Sequence, residues 1–447
     1  MSSLLCLGRR TVTGLLTTLG SQFQDWTSTY RLFSQDRLPT SEVFSVVRRA
    51  VAAQLPAGAP YRVVLDDTLL PRAGNKTPGV AWRRDPLGPR FQTNFVRAQR
   101  FLQFSAAIPN TEGTCRMTPI VFLHAPTPQK PRKPSTEQLA QHRKDAHACR
   151  LSLRASEQIT QLRQDLDRDV GGQDRLLLLA FDGSYTNSTV LKHIPPHTTC
   201  IGRVRKDAKL CLTPDDALRK THGRRLCYGA PAPTPEQLRT DDSKPWESML
   251  FLHSGVEHKL RFKRSQNIMW RSAGAAQVLQ LIVIAPLAYR LRKGSKLLYR
   301  EPAFLICTDP NLEPREIIEA YFQRWDIEVN FREEKTLLGV GQAQVRDKKS
   351  VESAPALIVA SYAMLLVSAQ RAFGKSRDGL IPQPKWAVQN PRTRVSTQQL
   401  LHQLRAEVWG RGLGLDPFYG FASHYHSHAK PEKYSFPLES AVFYANG

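Results

Sequence analysis

The run Leu176 to Phe181, LLLLAF, limits the possible folds more than any other stretch. It is apolar without alternation, so a strand built from it must be buried on both faces. The run ends at Asp182, with Gly183, Ser184 and Tyr185 next. A carboxylate at the mouth of a buried strand, beside a glycine turn, stands where open sheets hold ligands. The plainer alternative is an Asp that ends the strand and caps the next helix.

Strand signals precede this run. YRVVLDD, from Tyr61, is β-branched and ends in Asp66 and Asp67. A loop and a strand through Phe95, Phe101 and Phe104 follow, interleaved with arginines, and MTPIVFLHAP supplies a third strand. A Pro- and Lys-rich loop leads to a long polar helix over 136–168. Strand, strand, strand, helix, strand is thus the order of the first half, an α/β arrangement. Residues 1–58 read as helical, with helices over Thr11–Leu19 and Ser41–Leu55 and with Arg48 and Arg49 outward. Such a head could bind DNA or simply pack, and the opening at Met1 is abrupt, as though an earlier helix were missing. Residues 207–300 are turn-rich and strand-rich, and a helix-rich tail runs from 347 to 447.

A second constraint lies at 313–339, EPREIIEAYFQRWDIEVNFREEKTLLG. Pro314 suits a first helical turn and Gly339 a stop, so one helix is expected between them. Tyr321, Arg324, Glu328 and Lys335 fall at offsets that map to roughly 0°, −60°, −20° and −40° on a helical wheel. A carboxylate flanked by cations on one face, with a phenol above, suits a site holding a metal and a phosphodiester. A solvated face with i, i+4 ion pairs has the same look.

Composition favours the first reading. The 447 residues carry 63 Lys and Arg against 39 Asp and Glu, a net charge of +24. A polar chain this basic, with mean hydropathy −0.38, is built to meet a polyanion, nucleic acid first. Its seven cysteines are scattered and lack C-x-x-C pairs, which argues for reduced thiols in a cytosol. No apolar stretch reaches ~18 uninterrupted residues, so no membrane span is expected. Ala354–Ala369 reads as a buried helix.

The pattern Y-x2-R-x3-E-x6-K at 321–335 resembles the signature of the insertion-sequence-four group of DDE transposases, and the likeness extends from about residue 61 to 346. It implies a ribonuclease-H-like mixed sheet flanked by helices, with the first and fourth strands side by side. The implied core is 59–206 plus 301–346, interrupted by a β-rich insertion at 207–300. Asp67, Asp182 and Glu328 become the catalytic, metal-binding carboxylates, holding two Mg²⁺ (or Mn²⁺) ions. Asp67 is taken over Asp66 because it precedes Thr68, and only one of the two can share Asp182's side of the strand. Arg324, Lys335 and Tyr321 become DNA phosphate-binding residues, although Tyr321 could equally pack on the helix. The implied partner is double-stranded DNA, transposon ends and target, bound by a homodimer in a cytoplasmic, nucleoid-associated bacterial setting.

In relatives the insertion helps flip a base during hairpin formation, for which Trp270 is a candidate; a core role is the alternative. Lys259–Arg264 and Arg290–Lys296, beside Phe262 and Tyr289, suit a DNA surface or a charged strand edge. Three decoys are set aside. Gly374-Lys375-Ser376 lacks the first glycine of a phosphate loop. His424, His426 and His428 have strand spacing but read as surface tail, and Ser184 lacks a nucleophile elbow.

Overall fold

The computed structural model describes residues 1–412 except 36, 38, 75, 86–87, 90, 111–113, 216–225, 254–255, 275–276, 293 and 375–394. Lys375, Ser376 and the three tail histidines therefore lie outside the described residues.

Four short helices open the chain: α1 Ser2–Leu5, α2 Val12–Thr18, α3 Thr27–Ser34 and α4 Thr40–Ala52. Strands β1 Tyr61–Pro71, β2 Ala81–Arg84, β3 Phe95–Pro109 and β4 Cys115–His124 follow, then α5 Thr136–Ala148 and α6 Leu151–Arg168. Next come β5 Leu177–Phe181, α7 Ser188–Leu191, β6 Thr198–Arg203, β7 Cys211–Leu212 and α8 Pro235–Thr240. The strands β8 Glu247–His253, β9 Val256–Met269, β10 Leu279–Ile284, β11 Ala288–Tyr289, β12 Leu298–Tyr299 and β13 Ala303–Cys307 lead to α9 Pro314–Gln323. The described chain closes with α10 Asp326–Thr336, α11 Ser350–Phe373 and α12 Thr397–Gly412.

The first-half strands form the expected ribonuclease-H-like mixed sheet. β3 runs antiparallel to both β1 and β4, while β5 lies parallel between β1 and β6. The later strands join the same sheet, because β13 pairs antiparallel with β6 on one side and β10 on the other. β10 then carries β9 and β8 outward.

Every residue of β5 is buried, as its composition demands. Leu177, Leu179 and Phe181 pack with Ala155, Ile159 and Leu162 of α6. On the other face Leu178 meets Ile317 and Ile318 of α9, and Ala180 meets Ile327 and Phe331 of α10. Burying each such side chain contributes about 1.5–3 kcal/mol, enough to dock a short helix. α11 is long and apolar enough to cross a membrane by composition, yet 72% of its apolar window is buried within the fold.

Two helix expectations need correction. The polar helix over 136–168 is broken at Cys149–Arg150, since α5 buries none of its residues whereas α6 buries a full stripe. Only α6 is held to the core, so the chain is free to turn between them. Arg48 is not outward. It is buried, with Nε 2.9 Å from Asp169 and Nη1 3.1 Å from Asp165, and so joins α4 to α6.

A buried polar network sits between the sheet and α10. Ser105 Oγ donates to Asn330 Oδ1 (3.0 Å), and Asn330 Nδ2 donates to Met117 O (3.0 Å) and to the Tyr362 hydroxyl (3.1 Å). Tyr362 and Thr397 both donate to Glu333 Oε2, at 2.5 and 2.6 Å. Beside them Glu334 is buried, and burial pushes its carboxyl up to about 8. The folded chain therefore keeps a proton that the unfolded chain, titrating near 4.5, releases. Stability from this group is full below about pH 4.5 and is lost as pH rises through about 8. Glu334→Gln should flatten that decline in urea midpoints measured against pH and be the more stable protein above pH 8. An unchanged slope would show that Glu334 ionises freely.

Candidate functional site

β1 and β5 are adjacent and parallel, with Val64 opposite Ala180, so continuing the register brings Asp66 level with Asp182. Alternation then separates the two neighbouring acids. Val64 and Ala180 share a core with α10, whereas Val63, Leu65 and Leu179 share the α6 side. Asp66 accordingly faces α10 and Asp67 faces away, and the same alternation carried past Phe181 would turn Asp182 to the α10 side. Alternation therefore favours Asp66 over the expected Asp67 as Asp182's partner, because a one-residue difference in register exchanges the faces.

Asp67 is held on its own side. The Tyr185 hydroxyl donates to its Oδ1 (2.9 Å), and Arg100 Nε lies 3.2 Å from its Oδ2. Asp66 has much less support. Its Oδ1 accepts the Asp67 N–H (2.8 Å), and its Oδ2 stands 3.7 Å from Arg324 Nη1. Burial first, then the negative charges of Asp182 and Asp67, push its carboxyl up to about 7. The Asp182 carboxylate is oriented by its own turn, accepting Ser184 N (2.8 Å) and Ser184 Oγ (3.1 Å). Ser184 thus positions the carboxylate.

The helix over 313–339 is bent. α9 ends at Gln323 and α10 begins at Asp326. Across the joint the bonds run to the third residue back: Arg324 N to Tyr321 O, Trp325 N to Phe322 O, Ile327 N to Arg324 O and Glu328 N to Trp325 O. This tightening changes the wheel angles, and a 3₁₀ stretch inside a helix often marks a functional hinge. Arg324 leans toward Asp66 with its guanidinium over the Tyr321 ring, 5.5 Å from the centroid. Tyr321 itself packs against the apolar core beneath α9.

Glu328 stands one turn beyond Arg324 on the exposed side of α10. Lys335 is also exposed; desolvation lowers its ammonium from the ordinary value, while Glu334 and Glu328 oppose the shift. Arg324 Nε is buried and has no hydrogen-bond partner among the described residues. Among those residues, no three His, Cys, Asp or Glu side chains are grouped closely enough to hold a metal as they stand. The donor chemistry nevertheless fits a hard divalent cation. Asp66 feels the negative charge of Asp182 and is destabilised by burial, with the Arg324 guanidinium at 3.7 Å to offset it.

Sequence reasoning missed the cavity of about 1000 Å³ beside the Asp182 turn, lined by Gly183, Thr186, Arg203, Lys206, Arg239 and Trp270. Trp270 is half-buried and packs against the main core. The stretch Lys259–Arg264 is mixed. Lys259 and Arg261 are exposed, but Lys263 is buried and donates to the carbonyls of Arg239 (3.2 Å) and Asp241 (2.6 Å).

A family model described as DDE superfamily endonuclease matches residues 2–275, a span that includes Asp66, Asp67 and Asp182 and ends before Glu328. Comparison with curated proteins finds no match.

Neutralising the two neighbouring acids should have opposite effects on stability. Asp66→Asn removes a half-buried, poorly compensated charge and should raise the unfolding midpoint above pH 7. Asp67→Asn weakens the Tyr185 and Arg100 interactions and should cost about 1–3 kcal/mol. Equal effects in thermal melts at pH 8 would contradict the facial assignment.

Proposed function

The chain belongs to the DDE superfamily endonuclease family, and from that premise we propose that it is a transposase that cuts transposon ends and joins the freed 3′-OH to target DNA. The single observation that carries the proposal is the parallel pairing of β1 with β5, which supports Asp66 and Asp182 as neighbouring carboxylates at the strand ends, beside the helix that bears Glu328. Asp66, Asp182 and Glu328 would hold Mg²⁺ or Mn²⁺. When bound, such a pair of ions activates the attacking oxygen and stabilises the leaving oxygen of an in-line phosphoryl displacement.

The chain's own groups supply alignment and charge, which is most of what phosphodiester exchange needs. Arg324, whose buried Nε has no acceptor among the described residues, is suited to a non-bridging phosphate oxygen. Lys335 is suited to the same strand as a point charge seven residues beyond Glu328. Tyr185 and Arg100 grip Asp67 and so fix the β1 backbone on which Asp66 rides. Arg203, Lys206 and Arg239 around the neighbouring cavity add phosphate-binding charge. Handling both ends of one element calls for two copies of the chain, a homodimer on double-stranded DNA.

The test is cleavage and joining of DNA carrying the element's own ends, in Mg²⁺, followed by electrophoresis. Asp66→Ala, Asp182→Ala and Glu328→Ala should each abolish cleavage while leaving DNA binding nearly intact. Asp67→Ala should retain cleavage, weakened through the backbone it supports. Loss with Asp67→Ala alone would overturn the choice of Asp66. Cleavage with no joined product would reduce the activity to that of a stand-alone nuclease.

The flanking cations give an independent prediction. Arg324→Ala and Lys335→Ala should each slow strand transfer by about tenfold or more, since a charge-assisted contact is worth ~1.5–3 kcal/mol. Lys335→Arg should keep most activity and Arg324→Lys should not, because a forked contact is lost. Wild-type rates in both alanine variants would make them ordinary surface residues.

A further inference from the structure

The sheet continues well past the carboxylates as a ribbon that the catalytic reading leaves unused. Residues 72–100 carry seven cationic side chains and one acid, Asp85. Within them β2 pairs with the start of β3, Trp82 opposite Arg97 and Arg84 opposite Phe95. β3 in turn pairs with β1, Leu70 opposite Gln99, Thr68 opposite Phe101 and Asp66 opposite Gln103. Residues paired in this way share a side, and alternate residues share it too. Trp82, Arg84, Phe95 and Arg97 therefore lie on the same side of the sheet as Asp66. From the level of Gln103 to that of Phe95 the ribbon extends about 26 Å.

This side is open. Trp82 is 67% exposed, Phe95 56%, and Phe91 in the connecting loop is fully bare. The Arg97 guanidinium lies 5.7 Å from the Trp82 ring centroid and steadies the ring. The remainder of the ribbon is tied down. Arg72 donates to the carbonyls of Gly341 (2.9 Å) and Ala343 (2.6 Å), and Arg83 donates to Thr127 Oγ1 (2.5 Å). Protection of a bare sheet edge accounts for arginines on β2, but not for tryptophan and phenylalanine beside them, which invite strand addition. Aromatic rings alternating with cations on a fixed ribbon form a stacking platform for bases, with charge for the phosphates between them.

We infer that the exposed end of the β2–β3 ribbon is a docking surface for an unpaired DNA segment, its bases stacked on Trp82 and Phe95 and its phosphates met by Arg84. The inference rests on the reading of the protein as a DNA-processing enzyme, but its test does not need cleavage. Binding of the full chain, without divalent metal, is compared for a blunt duplex and for the same duplex with a short single-stranded overhang. Wild-type protein should bind the overhang form more tightly. The Trp82→Ala/Phe95→Ala double variant should lose about tenfold or more on the overhang form and little on the blunt duplex. Trp82→Phe/Phe95→Tyr, which keeps both rings, should restore the preference, and exposed side chains leave melting temperatures unchanged. Equal binding of the two DNAs by wild type, or equal loss on both in the alanine variant, overturns the inference while leaving the enzyme reading intact. Binding of neither DNA overturns both.

Discussion

The parallel pairing of β1 with β5 is the constraint on which the rest depends. It brings two carboxylates to one level at the open end of a strand that is buried on both faces. A half-buried pair of like charges opposes folding, and Asp66 bears that cost as a carboxyl pushed up to about 7. The pair persists because the backbone beneath it is over-determined. Leu177–Phe181 is fully buried, and the Asp67 side chain just beyond Asp66 is held from the opposite face by Tyr185 and Arg100. Stability elsewhere thus keeps a locally unfavourable arrangement in place, as expected of sites built for a ligand of opposite charge.

Much of the sheet could be read in advance. The unbroken apolar run at Leu176–Phe181 admits only a doubly buried strand, and the element order before it matches the observed β1, β3, β4 and β5. What could not be read shares one cause, because each point depended on a tertiary relation that local sequence does not encode. Asp66 and Asp67 are both plausible until the register with β5 is known, and LLLLAF has no alternation from which to infer it. Arg48 reads as an outward cation until Asp165 and Asp169 are brought against it from α6. The bend at Arg324–Trp325 lies in a run of good helix formers, where nothing in the sequence marks a break.

That bend matters for the site because it lets two helices dock on different parts of one sheet. Ile317 and Ile318 of α9 pack over Leu178, Ile201 and Leu305, while Ile327 and Phe331 of α10 pack over Val64 and Ala180. A straight helix would follow one line across a twisted sheet. With the joint at Arg324, its guanidinium lies between the two docking regions and 3.7 Å from Asp66. Arg324 therefore stands both at the joint between the two helices and beside Asp66.

Apolar packing fixes the height of α10 above the sheet but specifies its rotation weakly, since hydrophobic contact is non-directional. Rotation is what decides whether Glu328 and Lys335 point along the cleft or away from it. The polar network supplies the missing direction. Asn330, two residues beyond Glu328, bonds Ser105 of β3, the Met117 carbonyl of β4 and the Tyr362 hydroxyl of α11, which no other azimuth of α10 could satisfy together. Glu333 adds Tyr362 and Thr397 one turn further on. An apolar core of equal volume could be as stable and would leave the helix freer to turn. The buried polar groups behind α10 are thus best understood as setting the direction in which its exposed charges point.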